Sequence, residues 1–262
     1  MTVRIGIVDY LNSWPLAWGF LCGRLEAGFV VSYHPPARVA EMLAAGDLDV
    51  GLIPSIEVQR IPGLSVVPGL CVAATHEVRS VLLVSEMPFA KVRTVALDEN
   101  SRTSAALVRI VLADGYGVFA QTSERAPRLE EMLGEADAAL VIGDPALHVD
   151  RRRYRILDLA AEWRRLTGRP FVFAVWAVGE GVPGEAVTAA LSASLRIGFE
   201  QMQLIIDRAV EDLGLAREVV ERYLTRHLRF VLGEDELGGL QEFYRRAHAH
   251  GAIGVPAALH FL

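Results

Sequence analysis

Four polar stretches in this 262-residue chain sit where an α/β protein holds small ligands. The first, Asp9-Tyr10-Leu11-Asn12-Ser13-Trp14-Pro15-Leu16, follows the apolar run Ile5-Gly6-Ile7-Val8. In open α/β sheets, ligands bind beyond the carboxyl ends of strands, where loops enter helices. Asn12 and Ser13 would offer an amide and a hydroxyl there. A plain structural account makes Ser13 an N-cap and Trp14-Pro15 a helix start. It explains Ser13 as well as binding does, and the polar pair less well. The second stretch ends Gly51-Leu52-Ile53-Pro54-Ser55, where Ser55 could cap a helix whose backbone N–H groups hold an anion. The third, Leu97-Asp98-Glu99-Asn100-Ser101-Arg102-Thr103-Ser104, is the richest. It gathers three hydroxyls and an arginine at a helix start, where free N–H groups and the helix dipole favour a carboxylate or phosphate. One cap would need one hydroxyl, and Ser101, Thr103 and Ser104 exceed that. The fourth is Ile142-Gly143-Asp144-Pro145. Gly143 permits close backbone approach, and Asp144 could orient a ligand hydroxyl or simply cap the next helix.

Other chemistries find little footing. Lys91 is the single lysine among 26 basic residues, so Schiff-base chemistry would rest on it alone. Cys22 and Cys71 form no CxxC, which argues against structural zinc and a disulfide framework. Asp47 and Asp49 read as turn formers rather than a metal pair. His248 and His250 are two apart on a helix and face different directions. His76, beside Glu77, is the one histidine expected near a cleft. Gly179-Glu180-Gly181-Val182-Pro183-Gly184 fits G-x-G-x-x-G, but a helical region follows it instead of the strand and acidic residue that dinucleotide binding needs. The formal charge is −6, with no basic run beyond Arg151-Arg152-Arg153, so no nucleic-acid footprint is expected. The start of the chain lacks a signal-peptide pattern, and no ~18-residue apolar run offers a membrane span. The expectation is a cytoplasmic protein that touches no membrane.

The elements that must hold these stretches are short Val/Ile/Leu runs alternating with helical patterns. Strands are expected at Val3–Val8, Val50–Ile53, Ser65–Val67, Val81–Val84, Thr94–Ala96, Ala138–Ile142 and Phe171–Val178. Helices are expected at Pro36–Ala45, Thr103–Ala113 and Arg128–Leu133. This alternation predicts an α/β protein with buried parallel strands. Helical spacing then continues over Glu185–Asp207, Ala216–Leu228 and Asp235–His250. Two apolar strands, Ser80–Ser85 and Phe171–Ala177, could act as crossovers between two lobes, making the chain's organisation discontinuous. The expected division is residues 1–85 with 175–262 in lobe 1 and 86–174 in lobe 2, with crossovers near 80–86 and 171–178.

Six ordered motifs together resemble the chorismate dehydratases of the futalosine route to menaquinone. They are Tyr10-Leu11-Asn12-Ser13 with Pro15-Leu16, Gly51 to Ser55, Val78-Arg79-Ser80-Val81, Ser101 to Ser104, Ile142 to Pro145, and Thr167-Gly168-Arg169-Pro170-Phe171-Val172-Phe173-Ala174. The resemblance spans about Arg4 to Trp176, and the helical tail matches only in character. A sister enzyme, the dihydroxynaphthoate synthase, opens with a Cys-Pro-Asn-Asp type segment that this chain lacks. The resemblance implies a two-lobed fold like the type II periplasmic binding proteins, with the ligand cleft between lobes and a helical C-terminal tail. It implies a hydro-lyase acting on anionic chorismate without metal or organic cofactor. The resemblance places Asn12 and Ser80 nearest the reacting carbons. The sequence itself offers no compelling general base, so the hypothesis is that the substrate's own enolpyruvyl carboxylate takes the proton. Ser13, Ser55, Arg79, Ser101, Arg102, Thr103, Ser104, Gly143 and Asp144 would bind substrate, with one carboxylate at Ser101–Ser104 and the other near Ser55 or the hinge. Asp9 departs from the small hydroxyl residue common there. A solute-binding protein for a small carboxylate is the alternative from another class, since the same fold serves both. The oligomeric state stays open.

Overall fold

In the computed structural model, which describes residues 2–25 and 27–262, the apolar runs become strands of two five-stranded sheets. The first contains β1 (Val3–Val8), β2 (Phe29–His34), β3 (Val50–Pro54), β4 (Ser65–Ala74) and β10 (Phe171–Val178), in the order β2-β1-β3-β10-β4. The second contains β5 (Val81–Ser85), β6 (Thr94–Asp98), β7 (Gln121–Arg125), β8 (Ala138–Ile142) and β9 (Arg155–Asp158), in the order β7-β6-β8-β5-β9. The two sheets repeat one plan. In each, three strands pair in parallel and a fourth runs antiparallel beside them. That antiparallel strand, β5 or β10, is the first strand after the chain crosses between lobes.

The crossings are therefore loops, at 75–80 and 168–170, and the expected lobe boundaries shift. Val81–Ser85 pairs with β8 and β9 in the second sheet, and Phe171–Ala174 pairs with β3 and β4 in the first. Each run is apolar and buried along nearly its whole length on both faces, so it belongs inside a sheet with packed layers on either side and cannot serve as an exposed connector.

Helices α1 (Trp14–Leu21) and α2 (Pro36–Ala44) belong to the first lobe. Helices α3 (Thr103–Tyr116), α4 (Leu129–Glu135), α5 (Asp144–Leu147) and α6 (Leu159–Thr167) belong to the second. Asp158 caps α6 by accepting Ala161 N–H, and Gly168, at φ 71°, ends it in the left-handed region that favours glycine. The tail holds α7 (Gly184–Glu200), α8 (Met202–Leu213), α9 (Arg217–Arg222), a π-helical turn at Tyr223–His227, and α10 (Glu234–Ala249). The single helix expected over 185–207 breaks at Gln201, whose side chain accepts a 2.8 Å hydrogen bond from Trp18 Nε1. One large buried cluster runs through both sheets and includes Trp163, Phe171, Trp176 and Phe243.

Candidate active site

The ends of β1, β3, β6 and β8 and the first crossing converge on one cleft of about 570 Å³, open solvent at its mouth included. Its walls are mostly apolar, with Val8, Leu52, Val72, Val81, Ile142 and Phe173 among them. A few polar groups point in: Tyr10, Asn12, Ser80, Asn100 and the 101–104 stretch. An apolar pocket of this size with sparse, convergent polar groups suits a small molecule.

Ser101, Arg102, Thr103 and Ser104 enter the cleft together at the start of α3, and no side chain caps that helix. Its first N–H groups thus face the cleft with the positive end of the dipole. Arg102 is not a free cation, however. Its guanidinium bonds Glu41 at 2.7 Å and Glu57 at 3.2 Å, both on the first lobe. Thr103 Oγ1 accepts the Ile56 N–H at 3.2 Å and lies 3.5 Å from Ser55 Oγ, so this hydroxyl also bridges the lobes. An anion here would meet backbone donors and the Ser101 and Ser104 hydroxyls, with the arginine charge already balanced.

Several expected ligand groups are spent elsewhere. Ser13 donates to the carbonyls of Val8 and Tyr10, and its hydroxyl is fully buried behind the loop. Ser55 Oγ donates to Val172 O at 2.7 Å and does not line the cleft. Arg79 lines a different cavity with Glu77, Arg222, Tyr223 and His227. Asp144 accepts the Leu11 N–H at 3.0 Å and so ties the two lobes. Gly143 does line the cleft, at φ 66°, and a Cβ there would sit 2.7 Å from the Tyr10 ring. His76 is exposed and outside the lining.

Asn100 in the cleft, with Asp98 and Tyr223 just behind it, was outside the expected set. Asn100 enters the cleft, oriented by Asp98, whose Oδ1 accepts its backbone N–H at 2.9 Å and its side-chain amide at 3.3 Å. Asp98 Oδ2 is buried without a partner among the described residues. Burial pushes this carboxyl up to about 6, against the pull of the Asn100 hydrogen bonds. Burial also raises Asp144 to about 6. The third is Tyr223, whose phenol donates to Ser80 Oγ at 2.8 Å. The Asp98–Asn100 turn was legible as part of the polar stretch, whereas nothing near Tyr223 in sequence marks it. Among the described residues no group of three or more His, Cys, Asp or Glu side chains is arranged to hold a metal ion, and no helix is long and apolar enough to cross a membrane.

Two lobes of matching topology around one interlobe cleft define a periplasmic-binding-protein-like fold. A Candida albicans gene product described as exhibiting the generic periplasmic binding protein fold superposes with a TM-score of 0.71 at 11% identity, covering 100% of this chain and 97% of that one. A protein from Archaeoglobus fulgidus superposes at 0.79 with 15% identity over 96% of this chain and 98% of that one. Residues 3–249 match the family described as menaquinone biosynthesis, and the chain belongs to that family. A chorismate dehydratase of Thermus thermophilus is 30% identical, covering 97% of this chain and 96% of its own.

Proposed function

We propose that this chain is a carbon–oxygen lyase that dehydrates chorismate to 3-[(1-carboxyvinyl)oxy]benzoate, the first step of the futalosine route, in the cytoplasm. The observation that carries the reading is the meeting of Asn12, Ser80 and the uncapped start of α3 in one apolar interlobe cleft. The name of the Thermus thermophilus relative supports the same substrate. The reaction loses one water with no net oxidation, so its balance requires no redox cofactor.

Chorismate brings two carboxylates and a ring hydroxyl. Taking the proton from ring carbon C3 spreads negative charge onto the ring carboxylate, so that group is assigned to the start of α3. Donors preset at a site of growing charge lower the barrier, and losing one typically costs ~10²–10³ in rate. The enolpyruvyl carboxylate then lies toward Asn12 and Ser80, on the hinge side of the two expected positions rather than at Ser55. It serves as the base. His76 is exposed and outside the cleft, and Asp98 and Asp144 do not line it. As the C4–O bond breaks and the ring becomes aromatic, the proton taken from C3 passes from the enolpyruvyl carboxylate to the C4 oxygen, which leaves as water.

Purified, EDTA-treated protein should convert chorismate to the aromatic product, followed by its absorbance and mass. Chorismate bound by calorimetry but returned unchanged would instead mark a solute-binding protein. Turnover of cyclic futalosine would mark the sister synthase. His76→Ala should keep most of its activity; an inactive variant that still binds chorismate would move the base onto the protein.

A further inference from the structure

Ser80 is fully buried and borders the cleft, so its hydroxyl must be aimed by something. Two features of the fold converge on it. Arg79, the residue before it, has φ 70°, the one non-glycine residue of the described chain in the left-handed region. It is held there by its N–H, which donates to Asp158 at 2.7 Å. Strained backbone of this kind persists only where its surroundings over-determine it. On the other side stands Tyr223, 1% exposed, on the π-helical turn of the tail. Turns of this type are rare and often occur at functional sites.

The direction of the hydrogen bond matters more than its existence. A phenol buried this deeply stays protonated, since burial drives its ionisation far above the ordinary range. Its proton is directed at Ser80 Oγ, which accepts at 2.8 Å. No other hydrogen bond engages Ser80 Oγ among the described residues. A serine hydroxyl has one proton to give and can accept at the same time. With the phenol's proton directed at Ser80 Oγ, the serine's own proton cannot point back at Tyr223 and is left for the cleft. Asn12 is near enough to ease the ionisation of the same phenol, so Tyr223 stands beside both groups assigned to the chemistry while lining only the rear cavity.

Resting on the proposed dehydration, we infer that Tyr223 is a positioning residue that fixes Ser80 as a hydrogen-bond donor to a substrate oxygen. The tail thus completes the active site from behind. Without the phenol, the Ser80 proton is free to turn toward other acceptors, and the oriented donor is lost for part of the time. Chains of hydroxyl bonds also polarise one another in a low-dielectric interior, which strengthens the final donor.

The test is a double-mutant cycle on the full-length protein with chorismate. Tyr223→Phe removes one oxygen and should lower kcat by about tenfold, the worth of one such oriented bond, while KM stays within about twofold. In a Ser80→Ala background the same change should have no further effect on kcat, because the hydroxyl it orients is gone. A purely structural role would lower the thermal midpoint and give the same loss in both backgrounds. Wild-type kcat in Tyr223→Phe, or equal losses in both backgrounds, overturns the inference. Should Tyr223→Phe not fold, Tyr223→Met fills the same space without a donor and is read by the same criteria. If the wild-type protein itself fails to turn over chorismate, the proposed function falls and takes this inference with it. Failure confined to the variants leaves that function standing.

Discussion

Asp98 sits 1% exposed at the carboxyl end of β6, with one oxygen on Asn100 and the other unpartnered among the described residues. Burial raises its ionisation to about 6, above the ordinary carboxyl value of 3.8. The native state then binds more protons than the unfolded chain between those two values, so this group's contribution to stability falls as pH rises from about 4 to about 6 and stays low above that. A shift of about two units corresponds to roughly 2–3 kcal/mol. Asp144 shifts the same way, and His227, held low by burial, opposes both. A comparison isolates the single group. The unfolding free energy of the wild-type protein relative to Asp98→Asn should fall by up to ~2–3 kcal/mol from pH 4 to pH 7. Denaturant titrations of the two proteins at matched pH measure this, and a constant difference would mean that Asp98 ionises freely in the fold. At this scale the sequence was legible in position and not in direction. Asn12, Ser80 and Ser101 to Ser104 could be read as sitting at strand ends, but whether a hydroxyl faces a ligand or a carbonyl depends on partners far along the chain. Ser13 and Ser55 turn to backbone carbonyls, Ser55 to one contributed by β10, and Arg102 turns to Glu41 and Glu57.

Among elements, legibility followed burial. Strands β3, β5 and β8 are buried along their whole length and were readable as unbroken apolar runs. The strands that escaped notice, β2, β7 and β9, are edges of the two sheets. Gln121–Arg125 is nearly all exposed polar residues and carries no period that marks a strand. The fourth edge, β4, was seen only in its first three residues because Pro68-Gly69 interrupts the run. The tail helices were readable as helices, but their purpose was not, because their partners lie far along the chain and one of the closest approaches, α7 on α1, is made by small residues. Helix α7 meets α1 through Ser194, whose hydroxyl accepts the Gly19 N–H at 3.0 Å, and through Gly198, where a Cβ would fall inside contact distance of Pro15 O. Pro15 opens α1 three residues after Asn12. Gly198→Ala should therefore displace the loop that carries Asn12 as well as overpack the helix pair. The expected cost is about 1–3 kcal/mol, a drop of several degrees in Tm, together with a fall in kcat. Gly134→Ala, on α4 with open space around it, should leave kcat unchanged and hold or raise Tm. Equal behaviour of the two variants would remove the link between the tail and the Asn12 loop.

At the scale of the whole molecule, the lobes are fastened on the cleft side and again at the far end of α3. On the cleft side, Leu11 N–H meets Asp144, Ile56 N–H meets Thr103, and Arg102 spans to Glu41 and Glu57. At the far end of α3, Asp114 accepts from Arg246 at 2.6 Å and pairs with His250 at 2.9 Å, both brought by the tail around α10. Because α10 also packs on β10 of the first sheet, it straps α3 to the first lobe. Hinged proteins of two lobes close over ligand by exchanging such contacts, and a ligand shifts the balance only by its differential affinity for the closed form. Asp114 lies outside the cleft lining, so changing it alters closure without touching a ligand. A half-exposed ion pair of this kind is worth up to about 1 kcal/mol, so Asp114→Asn should open a fraction of the unliganded molecules and weaken binding of the product by no more than about fivefold. Small-angle scattering reads both states. The wild-type protein should change its radius of gyration little when product is added, whereas Asp114→Asn should begin larger and contract to the wild-type value at saturation. Calorimetry should return a loss in affinity within that bound, set by the fraction of molecules opened, since the energy of closing the lobes is then drawn from the ligand. A variant with wild-type scattering and affinity would show that the cleft-side contacts alone hold the lobes together, and the strap would then be packing without leverage.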